Sequence, residues 1–319
     1  MTSPPPVPIG RRALPGGGRS VSEVTVSIDP PATGPPSGDS RFVALLRRAR
    51  ERGVTSFDIG AARFPARAEH LIAQAFPALD GDLGVIVRRS VESLANESAL
   101  REKTGPDRDL AKALEESLAE SRRRLDPVPV SVLEWSGEPT GGPTGPTTRK
   151  TEGAPPIDAT TIFRATYLAP ESVGLPEEPV GSSLYAGELS LLTRELVDLF
   201  EGVARRAPAV GLIARDPFSE GRLDGSRFAA ATALSGPGSG PVGLRQLRAE
   251  FDPVLELGFL TRDRRRTLAQ AALHYVLDWP WVATVVVPLP SPERFEEILG
   301  FRSSAPLDDD EHARIRSLK

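Results

Sequence analysis

Apolar positions recur in two alternating rhythms along most of the chain. Val24, Val26 and Ile28 alternate with polar residues, which predicts a half-buried strand. Asp39 or Ser40 then stands where a helix cap is expected, and Phe42, Leu45, Leu46 and Ala49 form one apolar face before Gly53. Val54–Ile59 reads as a buried strand with a carboxylate, Asp58, near its C-terminal end. A helix over 66–76, a strand over 83–89, a helix over 109–125 and a strand over 128–135 follow. Further on, strands are predicted at 160–165, 182–184, 210–214 and 282–287, and helices at 190–206, 267–278, 292–300 and 308–318.

Strands alternating with helical segments predict parallel strands joined by crossover helices. Eight such strands predict an α/β fold of the (β/α)8 TIM barrel type, with its functional site at the strand C-termini. An open doubly wound sheet is the alternative, weakened because no Gly-x-Gly-x-x-Gly follows the first strand. Two stretches break the rhythm. Residues 136–157 are rich in Gly, Pro and Thr and predict a long loop, as do residues 216–243. Residues 1–20 are Pro/Gly/Arg-rich and are expected to be poorly ordered, leaving residues 21–319 as a single barrel domain. Within that start, Gly16-Gly17-Gly18 reads as a turn, since a phosphate loop would need a strand before it and Gly-Lys-Ser/Thr after it.

Composition narrows the chemistry. A net charge of -4 over 319 residues leaves no basic excess, so nucleic acid is not expected as a partner. No apolar run is long enough to span a membrane, and the N-terminus lacks a secretory apolar core, so the cytoplasm is the default location. The absence of cysteine excludes disulfides, thiolate nucleophiles and thiolate-bound zinc. No His-x-x-x-His spacing suggests a metal. Lysine occurs only as Lys103, Lys112, Lys150 and Lys319. Histidine is limited to His70, His274 and His312, and tyrosine to Tyr167, Tyr185 and Tyr275. Any chemistry needing these side chains must draw on those ten.

Three segments carry a resemblance. RARERGVTSFDIGAARF, GLIARDPFSEGRLDG and TLAQAALHYVLDWPWVATVVVPLPSPERFEEIL resemble, in turn, the second-strand region, the seventh strand with its loop, and the C-terminal signature of aldo/keto reductases. The resemblance runs from about residue 20 to the end and is weakest over 136–182, where the family's fourth helix is expected to give way to loop. It implies NADPH-dependent carbonyl reduction, with a tyrosine as general acid activated by a Lys–Asp pair and a histidine orienting the substrate.

Residue by residue, only Asp58 matches. Arg63 and Phe64 stand where the tyrosine is expected, Arg89 where the lysine is, and Trp135 or Ser136 where the histidine is. On the cofactor side, Pro288, Pro290 and Ile298 replace the residues that hold the adenosine end, and Ala186, Leu189 and Ser190 those around the nicotinamide. The expected cofactor is therefore none, with NADPH as the alternative. Losing a positioned general acid costs roughly 10²–10⁴ in rate.

What remains at the predicted strand ends is charge. Asp58, Arg89 and Glu134 are the candidates for acid/base chemistry. Arg63, Phe64, Trp135, Arg164, Tyr167, Tyr185 and Arg215 are the candidates for binding a small molecule, with a carboxylate or phosphate as the ligand class. The structural alternative keeps Asp58–Arg89 as a buried pair, with the other arginines solvated and Trp135 and Phe64 simply packed. Three functions stay open: a barrel that binds a small molecule or performs elimination, cyclisation or isomerisation on it; an atypical NADPH-dependent reductase; and a pseudoenzyme scaffold using the 136–157 loop.

Overall fold

The structure, a computed structural model, describes residues 7–15, 20–30, 36–60, 62–78, 82–90, 110–136, 163–168, 183–206, 210–229, 241–289 and 292–318. Eight parallel strands close into a barrel in the order β10-β3-β4-β5-β6-β7-β8-β9. They are β3 (Val24–Ser27), β4 (Ser56–Asp58), β5 (Gly84–Ser90), β6 (Val130–Ser136), β7 (Phe163–Leu168), β8 (Ser183–Glu188), β9 (Val210–Arg215) and β10 (Val282–Pro288). Closure is direct, because β10 pairs with β3 on one side and β9 on the other. Around the wall lie α1 (Pro36–Glu51), α2 (Pro65–Ala75), α3 (Leu110–Leu125), α4 (Glu195–Arg206), α5 (Pro241–Glu256), α6 (Leu268–Leu277), α7 (Pro292–Leu299) and α8 (Asp309–Ser317).

The sequence explains this arrangement locally. β10 reads VATVVVP, and its first six residues are all buried, as expected for a strand covered on both faces. Thr267 and Gln270 form a capping box at the start of α6, and Asp308 and Glu311 do the same for α8. The main core lies between wall and helices, with Phe57, Phe200, Phe295 and Phe301 fully buried.

A second, smaller apolar set fills the lumen: Ile86, Val132, Leu184, Ala186, Ile213, Ala283 and Val286. Leu14 and Val21 close it from below. They come from an antiparallel hairpin, β1 (Arg11–Ala13) and β2 (Ser20–Ser22). Gly211 makes room for this plug, since a Cβ there would lie 2.7 Å from Cγ of Pro15. The hairpin falls within the stretch expected to be poorly ordered, which corrects that expectation for its described residues. What fixes them is burial, which composition does not report. α5 also occupies residues left without a predicted helix. The expected replacement of the family's fourth helix by loop falls within residues 136–182, of which 137–162 and 169–182 lie outside the described residues, as does the predicted turn at 16–18.

Candidate functional site

Three lumen positions change character at the C-terminal end of the barrel. Two residues beyond Ile86, Val132 and Ile213 on their strands stand Arg88, Glu134 and Arg215. Because side chains alternate across a strand, these residues share the inward face of the apolar layer below them. Asp58 and Glu134 have no exposed surface, and Arg215 is 7% exposed. A buried charge is costly unless paired, and here each is.

Arg215 is the hub. Its Nη1 and Nη2 donate to Oδ2 and Oδ1 of Asp58 at 3.2 and 2.9 Å. Its Nε donates to Oε2 of Glu134 at 2.8 Å, and Nη2 reaches the same oxygen. Arg88 donates from Nε to Oε1 of Glu134 at 2.6 Å, and Ser27 Oγ donates to Asp58 Oδ2 at 3.1 Å. In the strand order, β9 stands opposite β5, and β4 and β6 flank β5. The Arg215 side chain therefore crosses the lumen and ties both neighbours of the far strand to its own. Gly60 packs against this layer: a Cβ there would sit 2.9 Å from Cβ of Arg88 and 3.0 Å from Oδ1 of Asp58.

Burial alone would raise the Asp58 carboxyl, but the Arg215 guanidinium outweighs it, with help from Arg88 and Ser27, and holds it below the usual range. Arg215 is disfavoured by burial too, yet Asp58 and Glu134 hold it more firmly protonated than a free guanidinium. The ionised states of Asp58 and Arg215 are thus fixed at neutral pH.

One titratable group nearby behaves differently. Asp216, directly after β9, has a positive φ of 49°. Burial, followed by the charges of Glu188 and Glu220, pushes its carboxyl up to about 6, although it accepts the Glu220 backbone N–H at 2.8 Å.

The candidate residues from the sequence separate into five groups. Asp58, Glu134 and Arg215 meet in the network. Arg89 does not, and the Asp58–Arg89 pairing is corrected. Strand alternation turns Arg89 outward, where it is buried and donates to Ser117 Oγ at 2.8 Å and Ser121 Oγ at 2.6 Å of α3. Its neighbour Arg88 takes the inward place. The run Val85-Ile86-Val87 is buried on both faces, so hydrophobicity gives no parity signal there.

Arg63 is exposed and pairs with Asp29 at 3.0 Å, and Phe64 is exposed at the start of α2. Tyr185 is buried in the outer layer, edge-on to Phe200 at 5.9 Å, so it does not face the mouth interior. For Trp135, Arg164 and Tyr167 only the strand backbone is described; they stand in register beside Thr166, Leu133 and Ala186. The expected cradle of arginines is therefore not assembled by Arg63 or Arg89, and Arg215 is already saturated by two carboxylates. His274 is a packing residue, with Nε2 3.1 Å from the Phe301 carbonyl oxygen. Sequence reasoning missed Arg88, Ser27 and Glu188.

A closed eight-stranded barrel with a charged, fully paired layer at its C-terminal mouth defines the class of protein. Residues 175–319 match the model of the aldo/keto reductase family. The whole chain has the fold of solved aldo/keto reductases at low identity. The thermostable aldo-keto reductase Tm1743, solved with the inhibitor epalrestat, aligns over 98% of this chain and 100% of its own, at TM-score 0.65 and 16% identity. The glycerol dehydrogenase AKR11B4 from Gluconobacter oxydans aligns over 96% and 94%, at 0.64 and 15%. The holo form of AKR11C1 from Bacillus halodurans aligns over 97% and 95%, at 0.62 and 16%. No curated protein matches the chain by sequence. Among the described residues, no helix is long and apolar enough to cross a membrane, and no group of three or more His, Cys, Asp or Glu could hold a metal.

Proposed function

We propose that this barrel binds a small molecule at its mouth, or acts on it by non-redox chemistry such as elimination, cyclisation or isomerisation, and does not transfer hydride from NADPH. The observation that carries this reading is the Asp58–Arg215–Glu134–Arg88 network. Asp58 is the one residue that the family resemblance retains, and its carboxylate is engaged by a guanidinium from across the lumen. A guanidinium stays protonated and hands over no proton at neutral pH. Arg63, at the expected place of the phenol, is exposed and paired with Asp29. No described group at the mouth reproduces the phenol–ammonium couple.

The residues also fit the dinucleotide poorly. Pro288, with no N–H to donate, ends β10, and Ile298 is fully buried in the core where the resemblance implies an adenine contact. Ala186 lies in the lumen and Leu189 in the core, so neither offers the carboxamide or ring contacts implied for a nicotinamide.

The charge balance also bears on the ligand. Asp58 and Glu134 offset Arg88 and Arg215 within the network. The ligand class expected from the sequence, a small carboxylate or phosphate, stands as part of this proposal. A second reading, an atypical NADPH-dependent reductase, is favoured by the family match over residues 175–319.

The test is NADPH consumption with a panel of aldehydes and ketones, run beside thermal-shift screens of small amines, neutral polyols and carboxylates. The expected result is no turnover, with saturable stabilisation by a compound of one of these classes. Turnover with any carbonyl would establish the second reading instead.

A further inference from the structure

The end of the barrel opposite the mouth holds a cavity that the charged network does not touch. It measures about 610 Å³ and lies where β9 and β10 begin, between those strands and the β1–β2 hairpin. Small-molecule sites commonly fall within roughly 300–1,000 Å³, with mostly apolar walls and a few polar groups. The described wall has that composition. Leu14 of the hairpin and Ala283 of β10 line the cavity, and both also belong to the lower apolar layer of the lumen. Trp281 and Val282 continue the apolar wall. Phe200 and Trp279 stack on Trp281, at 4.9 and 5.5 Å, and fix its ring in place.

Among the described residues, two charged side chains line this cavity, Arg12 and Asp278. Arg12 is turned into the main chain. Its Nη1 donates to the carbonyl oxygens of Trp279 at 3.0 Å and Val282 at 2.9 Å, and its Nη2 to that of Leu277. Asp278 directly follows the last residue of α6, with its side chain 38% exposed. Its Oδ2 lies 2.9 Å from Nε2 of His312, and no described group bonds its Oδ1.

We propose that this cavity is a second binding site, for a small primary amine with an apolar body. The ammonium would sit at Asp278 and the hydrocarbon against Leu14, Trp281 and Ala283. Charge complementarity selects this class. Asp278 stands at a helix C-terminus, where the carbonyl dipoles favour positive charge as the carboxylate itself does. An ammonium brings that charge and three donors. A carboxylate ligand would meet Asp278 at like charge, while the donors of Arg12 are directed to three carbonyls. A purely apolar ligand would gain burial alone. The site lies at the other end of the barrel from the network, so it stands whichever reading of the mouth holds.

The chain has three tryptophans, which makes the test local. Trp281 lines the cavity, Trp279 stacks on it, and Trp135 is near the C-terminal end of β6, toward the mouth. Nuclear magnetic resonance of the full chain, isotope-labelled at tryptophan, follows the three indole N–H signals, with Trp135→Phe marking the signal at the mouth. Phenethylamine should shift the Trp279 and Trp281 signals saturably, with a Kd on the order of 1 mM, and leave that of Trp135 in place. Phenylpropionate should cause no saturable shift. Asp278→Asn, which keeps a hydrogen-bonding group beside His312, should weaken the amine about tenfold. Added salt should weaken it in the wild type too, which reads the charge without a substitution. Equal binding of amine and carboxylate, an affinity insensitive to salt or to Asp278→Asn, a shift confined to Trp135, or no saturable shift would each overturn the proposal.

Discussion

The lumen has two storeys built by the same strands. In the lower one, Ile86, Val132 and Ile213 pack as hydrocarbon, sealed from below by the hairpin residues Leu14 and Val21. In the upper one, two residues along each strand, Arg88, Glu134 and Arg215 meet as ions with Asp58. The lower storey is non-directional and tolerates changes of shape at modest cost. The upper storey depends on complete pairing in a place without water. A barrel can thus keep its structural layer while the layer above it is rewritten, and it is the upper layer that decides what the mouth can do.

That contrast orders the consequences of substitution. Arg215→Ala should be the most damaging, because it leaves Asp58 and Glu134 buried without their shared cation. The expected loss is about 3–5 kcal/mol, read from the midpoint of urea unfolding. A loss no larger than for an exposed arginine would show that the network does not exist as described. In the lower storey, Ile213→Ala should cost about 2–4 kcal/mol, as a cavity rather than an unpaired charge. The two are distinguished by pH: the Ile213→Ala deficit should be the same at pH 4 and pH 7.

Acid unfolding sharpens the same point. The Asp58 carboxyl is held below its ordinary value, so its share of stability is complete above the unfolded value of about 3.9 and is lost as pH falls below it. Asp58→Asn should flatten that acid limb while lowering stability at pH 7. Gly60→Ala should cost about 1–3 kcal/mol, since the new methyl meets Arg88 and Asp58 closer than atoms pack. Smallest of all, Arg63→Ala should change stability by no more than about 0.5 kcal/mol, its partner Asp29 being at the surface.

Much of the wall was legible in the sequence. The predicted strand at 282–287 matches β10, and the helix predicted at 109–125 matches α3 within a residue. β-branched runs and heptad-like leucine spacing are strong local signals. The mouth was legible in part. Asp58, Glu134 and Arg215 were identified because charged residues at the ends of apolar strands are conspicuous. Arg88 was confused with Arg89 because β5 is buried on both sides, so nothing in its pattern marks which face is inward. Tyr185 was placed at the mouth for the same reason, while its neighbour Ala186 takes the lumen side. The hairpin plug was missed because its residues look like linker by composition, whereas the Gly211–Pro15 fit and the burial of Leu14 and Val21 in the lumen give it a place.

The most direct test of the central claim is a titration of the full-length protein with NADPH, followed by tryptophan fluorescence. No saturable change is expected in the micromolar range, for the wild type and for Arg215→Ala alike. Saturable micromolar binding by the wild type would contradict the proposed loss of hydride transfer, because the mouth would then still receive a hydride donor.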